Sequence, residues 1–313
     1  MKAPKVSIIC LCYNQAQFVK QALDSVLAQS YTNIELIIVD DASPDNSQEV
    51  IQHWIDNKGE VTFLPFKENV GNTRAFNQGL KLASGQYVID LSGDDLLCPN
   101  RVEAQVAFFE KQKSNVGVIY SDVEYIDEQG QSLHTHFSES NRKAYIGDVF
   151  EKLIDTYFVP PPSMMMRMEV LKALDGYDEE LAYEDFDFWI RSSRNWAYAF
   201  QSDALTKVRQ TKGSHSTQYG AKYDRQLRST VAICHKIALM IRSESEQEAL
   251  IRRLKYEMRH AFLYGRKNEL NEFFILLNQV NGQNLAYTSL NVLGSLGLRL
   301  TWVKQLIYLI RRD

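Results

Sequence analysis

The chain has 313 residues, 45% of them hydrophobic and 24% charged, with a formal net charge of −4. This is the balance of a folded globular protein long enough for one large domain and an appendage. There is no basic excess to suggest a nucleic-acid binder, so no nucleic-acid partner is expected.

The elements alternate from the start. Val6 to Cys12 is an unbroken β-branched and apolar run, the pattern of a strand covered on both faces. Phe18, Ala22, Leu23, Val26 and Leu27 recur at helical spacing. Glu35 to Asp40 reads as a second strand, Gln48 to Trp54 as a short helix and Val61 to Phe66 as a third strand. Thr73 to Ala83 is helical with Ser84-Gly85 as its stop, and Gln86 to Leu91 is a fourth strand. Such alternation predicts βαβ units and a parallel sheet with helices on both faces. The short apolar run near the N-terminus suits a strand rather than a secretory signal, and no apolar stretch is long enough to span a bilayer. Cys10, Cys12, Cys98 and Cys234 form no CxxC pair and read as buried reduced thiols of a cytosolic protein.

After Pro99 the pattern changes. Arg101 to Lys111 is a helix with Pro99 at its entry. Val116 to Asp127 and Ser132 to Phe137 flank EQGQ as a hairpin. VPPPSMMMR (159–167) is a rigid entry to another strand. From about Tyr223 the chain reads as helical, with a capping box at Ser243 to Glu246 and stops at Gly265 and Asn281-Gly282. The expected division is a domain of residues 1–220 and a helical region of 221–313.

Ligands of an open parallel sheet bind beyond the carboxyl ends of its strands. Here the first strand ends in Tyr13-Asn14, the second in Asp40-Asp41-Ala42-Ser43-Pro44-Asp45 and the fourth in Ser92-Gly93-Asp94-Asp95. Adjacent carboxylates repel each other and lose hydration when buried. A divalent cation resolves that conflict, and Mg²⁺ or Mn²⁺ commonly bridges one or two carboxylates to a diphosphate. The plainer alternative is that Asp94 caps a turn and Asp95 faces solvent. Asp41 offers an acceptor for the N3–H of uracil or thymine, with the Tyr13 ring against the base. The same stretch also suits an Asx turn, a role that Asp40 fills. CYNQAQF, after the first strand, lacks glycine, so a Gly-rich dinucleotide cradle is not expected.

Three stretches carry a family resemblance: VSIICLCYNQAQFVKQALDSVLAQSYTNIELIIVDDASPDNS, NVGNTRAFNQGLKLASGQYVIDLSGDD and GYDEELAYEDFDFWIR. Together they resemble the family 2 glycosyltransferases of the GT-A fold over roughly residues 4–215. The resemblance implies a mixed α/β nucleotide-binding fold with a mostly parallel central sheet, here followed by a helical extension. It also implies a nucleotide-sugar donor, a divalent metal and inversion at the anomeric carbon. Carried over by position, Tyr13 and Asp41 meet the nucleobase, Asp94 is the main metal ligand beside Asp95, and Asp185 is the catalytic base. Asn14, Asp45 and Arg74 join the nucleotide-binding set, Arg74 as a cation for the diphosphate or, more plainly, as a solvated helix arginine. Ser92 stands where relatives have the first acid of the metal motif. Relatives also carry a histidine two residues after an arginine where this chain has Arg209-Gln210-Thr211, with His215 four residues further on.

The base has an independent argument. AYEDFDFWIR begins acidic and continues apolar, which places a polar helix start at a cleft. Glu184 and Asp185 fall in the first turn, where the helix dipole favours the carboxylate. Simple helix capping explains the same acids, and Asp187 is the rival base.

The resulting expectation is a metal-dependent, inverting transferase using a UDP- or dTDP-sugar and a saccharide or lipid-linked acceptor in surface polysaccharide assembly. The alternatives are a non-catalytic nucleotide-sugar-binding protein and a sugar-phosphate nucleotidyltransferase, which would need a Gly-rich basic loop after the first strand. Finally, residues 293–312 place Leu293, Leu296, Leu300, Val303, Ile307 and Ile310 on one helical stripe with basic residues opposite. That stripe suits packing on the protein's own core or a partner subunit. The runner-up is peripheral contact with the inner face of the cell membrane. Self-association is left open.

Overall fold

A computed structural model of the chain describes residues 3–56, 58, 61–138, 143–211, 221–282 and 285–295. Two compact units divide the chain. One is drawn from Met1–Val149, Phe158–Glu180 and Arg191–Gln218, the other from Phe150–Tyr157, Leu181–Ile190 and Tyr219–Asp313. The helical unit thus takes in two segments from the middle of the sequence, and one of them carries Glu184 and Asp185.

The first unit is built on β1 (Val6–Cys12), α1 (Val19–Leu27), β2 (Ile34–Asp40), α2 (Ser47–Ile55), β3 (Thr62–Pro65), α3 (Asn72–Leu82) and β4 (Tyr87–Ser92). The sheet order β3-β2-β1-β4 is parallel throughout, as the alternation predicts. β1 is fully buried because helices cover both faces. Val6, Ile8 and Cys10 pack in one core with Leu23, Val26, Ile51 and Trp54 of α1 and α2. On the other face α3 lies so close that a Cβ on Gly79 would come 2.7 Å from Ile9 Cγ2. The α1 stripe is Val19, Ala22, Leu23 and Val26, whereas Leu27 is half exposed. At 100° per residue, position 27 falls on the edge of that stripe.

The sheet continues through β5 (Leu96–Leu97), α4 (Arg101–Phe109), β6 (Val116–Ile126), β7 (Ser132–Thr135) and, past α5 (Phe150–Asp155) of the second unit, β8 (Met165–Arg167) and α6 (Met168–Ala173). α7 (Glu184–Ser193) then leads to β9 (Ala197–Arg209). β8 runs antiparallel to both β4 and β6, while β6 and β9 form a long parallel ladder, closed by antiparallel β5. β6 and β7 form the expected hairpin.

The second unit holds α8 (Ala221–Met240), α9 (Glu244–Leu263), α10 (Lys267–Gln279) and α11 (Leu285–Ser295). The Ser243 side chain accepts from the Glu246 amide, as the capping pattern predicts, and Glu246 accepts in turn from the Arg242 amide. Gly265 and Asn281 adopt φ of +67° and +57°, the left-handed stops expected after α9 and α10. The amphipathic stripe expected at 293–312 lies outside the described residues beyond Ser295. Among the described residues no helix is long and apolar enough to cross a membrane.

Gly85 plays a different part from the helix stop expected of it. Ala83 is already extended, so α3 ends before Gly85 is reached. Instead, the Gly85 amide donates to Ser7 Oγ at 2.8 Å, and Ser7 donates to Glu35 at 2.6 Å. A Cβ at Gly85 would sit 2.6 Å from the Ser7 amide nitrogen. Backbone cannot yield as a side chain does. Gly85→Ala is therefore expected to destabilise the protein by about 2 kcal/mol, read as a lower urea midpoint at unchanged slope.

Candidate active site

Three parallel strands stop almost level. Cys12 pairs with Asp40, and Leu11 pairs with Ser92. The Asp41 amide donates to the Cys12 carbonyl at 3.0 Å, and the Gly93 amide to the Leu11 carbonyl at 2.7 Å. Tyr13, Asp41 and Gly93-Asp94 therefore leave the sheet side by side.

The loop after β1 is laced to the loop after β2. Asn14, at φ +57°, donates its amide to Ser43 Oγ at 3.0 Å. The Gln15 amide donates to Ser47 Oγ at 3.1 Å and the Ala16 amide to Asp45 Oδ2 at 2.9 Å. Asp45 also accepts from the Ser47 amide and hydroxyl. Burial pushes the Asp45 carboxyl up, but these hydrogen bonds outweigh it and hold the group below its ordinary range. Asp45 and Asn14 thus shape the loop. Asp40 is fully buried and holds the turn, accepting from Ser43 and from Gln48.

Asp41 is 5% exposed and Tyr13 is 48% exposed. Asp41 accepts the amides of Val70 at 2.7 Å and Gly71 at 2.8 Å, one on each oxygen. A second lone pair remains on each oxygen. Burial raises the Asp41 carboxyl above its ordinary range, the two amides pull it back, and Asp40 adds to the rise. Arg74, on α3, pairs with Glu179 at 3.3 Å and is more than half exposed. The adjoining Asn77 is buried and donates to the Tyr177 carbonyl, fastening 177–179 to α3.

The two adjacent acids part company. Asp94 is half-buried and accepts the Ser92 hydroxyl at 2.5 Å. Asp95 is 3% exposed and accepts the Arg209 amide at 2.9 Å. Burial, and then the Asp94 charge, push the Asp95 carboxyl well up, against the Arg209 amide and the charges of Arg101 and Arg209. The Arg209 guanidinium donates to the carbonyls of Asp94, Asp127 and Glu128 and to Gln21 Oε1, and lies 4.6 Å over the Phe18 ring. Sequence reasoning used Arg209 only as a landmark. A lone arginine at a strand end carries no signal that it will be buried. His215 lies outside the described residues.

Gln15 also went unforeseen. Its Nε2 donates to Ser92 Oγ at 3.2 Å, while its Oε1 is buried with no hydrogen-bond partner. A Cβ on Gly93 would sit 2.7 Å from that Oε1, so a side chain there would push Gln15 aside.

Among the described residues no group of three or more His, Cys, Asp and Glu side chains is arranged to hold a metal ion. The oxygen donors at hand are the Asp94 carboxylate, Ser92 Oγ and the orphaned Gln15 Oε1. That hard set fits a Mg²⁺ or Mn²⁺ ion that takes its remaining ligands from water and substrate phosphates. The nearby thiols offer no alternative chemistry. Burial raises Cys10, and it raises Cys12 to about 12, so both stay protonated.

In the second unit, Glu184 and Asp185 are half-buried in the first turn of α7. Burial, then the Asp185 charge, push the Tyr183 hydroxyl up. The rival base Asp187 is fully buried and accepts Lys236 Nζ at 2.6 Å.

The glycosyl transferase family 2 model matches residues 7–175, more than half of the chain, and the chain belongs to that family. A relative described as an uncharacterized glycosyltransferase of Rickettsia typhi is 32% identical over 213 residues, covering 66% of this chain and 64% of the relative. An uncharacterized glycosyltransferase of Methanocaldococcus jannaschii is 31% identical over 199 residues, covering 62% and 67%. Among solved structures, S. aureus TarS 1–349 in complex with UDP-GlcNAc superposes with a TM-score of 0.68 at 21% identity, covering 91% of this chain and 83% of that one. The mannosyltransferase PcManGT from Pyrobaculum calidifontis, in complex with GDP-Man and Mn²⁺, gives 0.61 at 19% identity, covering 99% and 86%. The mixed α/β architecture is the GT-A fold of these neighbours.

Arg209→Met removes a buried cation and leaves three carbonyls and the Gln21 oxygen short of a donor. The expected loss is about 3 kcal/mol of folding stability. Arg209→Lys should recover little of it, because one ammonium cannot span the same acceptors. Chemical denaturation of the three proteins checks this.

Proposed function

We propose that the chain is a metal-dependent, inverting glycosyltransferase that moves a sugar from a UDP- or dTDP-sugar to a saccharide or lipid-linked acceptor. The observation that carries this reading is the level ending of β1, β2 and β4, which brings Tyr13, Asp41 and Asp94 out of one sheet edge. The complexes of TarS with UDP-GlcNAc and of PcManGT with GDP-Man and Mn²⁺ support it by fold.

Under this reading Tyr13 offers an open ring to the base, and Asp41 keeps lone pairs for a pyrimidine N3–H. Asp94, steadied by the Ser92 hydroxyl, would hold the cation, with Ser92 and Gln15 as further oxygen donors. A bound Mg²⁺ or Mn²⁺ supplies charge neutralisation for the diphosphate leaving group. Asp95, turned inward, orders Arg209 and through it the loop that bears Asp94. Asp185 takes the proton of the acceptor hydroxyl as that oxygen bonds to the anomeric carbon. The bond from that carbon to the diphosphate breaks, and the nucleoside diphosphate leaves with its electron pair. Asp187 is held by Lys236, which favours Asp185 as the base. The laced amides of residues 14–16 argue against a nucleotidyltransferase, whose phosphates need a free backbone cradle. A non-catalytic binder predicts donor binding with neither transfer nor hydrolysis.

Thermal shift with UDP-N-acetylglucosamine, UDP-glucose and dTDP-glucose in Mn²⁺ identifies the donor class, because a bound ligand raises the melting temperature. Asp94→Asn is expected to abolish metal-dependent UDP binding by calorimetry while the fold survives. UDP affinity equal to that of the unmodified chain would refute the metal assignment.

Asp185→Asn is expected to bind donor normally and lose transfer by roughly 10²-fold or more. Activity retained by Asp185→Asn but lost in Asp187→Asn would move the base to Asp187.

A further inference from the structure

Within the helical unit, α8 grips the segment before and after the candidate base. Ser229 Oγ accepts the Ala182 amide at 2.8 Å and donates to the Arg225 carbonyl at 2.9 Å. Lys236 Nζ donates to Asp187 Oδ1 at 2.6 Å. Ser229 and Lys236 lie seven positions apart in α8, about two helical turns, and so share one face with the fully buried Ile233. The two gripped residues, Ala182 and Asp187, flank Glu184 and Asp185.

Charge explains why the second grip is ionic. Glu184, Asp185 and Asp187 crowd the first turn of α7. The helix dipole favours acids there, but Asp187 is completely buried, and a buried carboxylate persists only when paired. Lys236 supplies that pairing while its own side chain keeps 29% of its surface exposed. An apolar pair of the same volume would fill the space equally well. An ion pair adds direction, because a short charge-assisted bond fixes where the turn sits.

We propose that Lys236 is a positioning residue for the transfer reaction: through its buried ion pair with Asp187, and together with Ser229 at Ala182, it fixes the turn that presents Asp185. This rests on the reading of Asp185 as the base.

The test measures release of the nucleoside diphosphate from the donor identified by thermal shift, alongside melting temperature, for full-length variants. Lys236→Met is expected to lower kcat roughly tenfold or more with donor KM within about twofold, since small displacements of a reacting group are costly. Lys236→Arg should restore most of kcat. The double variant Asp187→Asn/Lys236→Met removes both charges of the pair and leaves neither uncompensated, so it should melt near the unmodified chain yet keep the low kcat. Wild-type kcat in Lys236→Met, or recovery of kcat along with melting temperature in the double variant, would overturn the proposal and leave a pair that serves stability alone. Asp185→Asn run in parallel separates the two readings. If it stays active, the base assignment falls and this inference with it. If it is inactive while the Lys236 variants are unimpaired, only the positioning role falls.

Discussion

The parallel register of β1 with β2 and β4 is the constraint on which the candidate site depends. Parallel strands share one direction, so their carboxyl ends, and the loops that follow, collect on one edge. Register then decides whether those loops emerge together. Here Cys12 stands beside Asp40 and Leu11 beside Ser92, so the three polar loops start within a residue of each other. Close packing of helices on both faces holds this register, as where Gly79 of α3 meets Ile9 of β1.

Two adjacent aspartates at the end of a buried strand are an electrostatic problem. The structure resolves it with a turn after β4, closed by the Asp95 amide on the Ser92 carbonyl, from which the two side chains take different partners. Asp94 remains partly open beside Ser92, while Asp95 turns inward to Arg209. The inward acid lies among the charges of Arg101 and Arg209, as a buried carboxylate must. One guanidinium thereby connects the Asp94 carbonyl, the β6–β7 turn and Gln21 of α1. The paired acids are thus unequal: one stays partly open and the other holds the loop in shape.

Much of this was legible in the sequence, and the gaps have physical causes. The parallel half could be read because each strand is an unbroken apolar run and each helix an amphipathic period. The β6–β7 hairpin announced itself through its turn. β5 is two residues long, too short to carry a period. β9 has thirteen residues and still escaped, because its pairing with β6 shifts register twice between Ser121 and Val123, which breaks the alternation. In the site, the acids and Tyr13 stood out as polar residues at strand ends. Arg209 and Gln15 did not, since their roles come from partners distant in sequence. Gln21 lies 188 positions from Arg209, and Ser92 lies 77 from Gln15. Asp45 and Asn14 were expected at the nucleotide, and the structure shows both engaged in the β1–β2 loop contacts.

Those loop contacts bear on how this sheet edge would meet a diphosphate. Many nucleotide-binding folds present a glycine-rich turn whose free amides surround the phosphates. Here the amides of Asn14, Gln15 and Ala16 are already bound by Ser43, Ser47 and Asp45. Side chains that cap these amides make the loop rigid without glycine, and they also remove the backbone as a source of positive potential. On the proposed reading the diphosphate charge would then have to be met by other means. Arg74 is engaged with Glu179 across an exposed pair, which is weak in water and available for exchange. The remaining hard oxygens are Asp94, Ser92 and the unpartnered oxygen of Gln15, and all face a ligand as acceptors because the Ser92 proton is given to Asp94. Acceptors attract a phosphate only through a cation between them. On the proposed reading, the glycine-free loop and the acidic strand end are therefore two parts of one solution, in which a metal does the work that backbone amides do elsewhere.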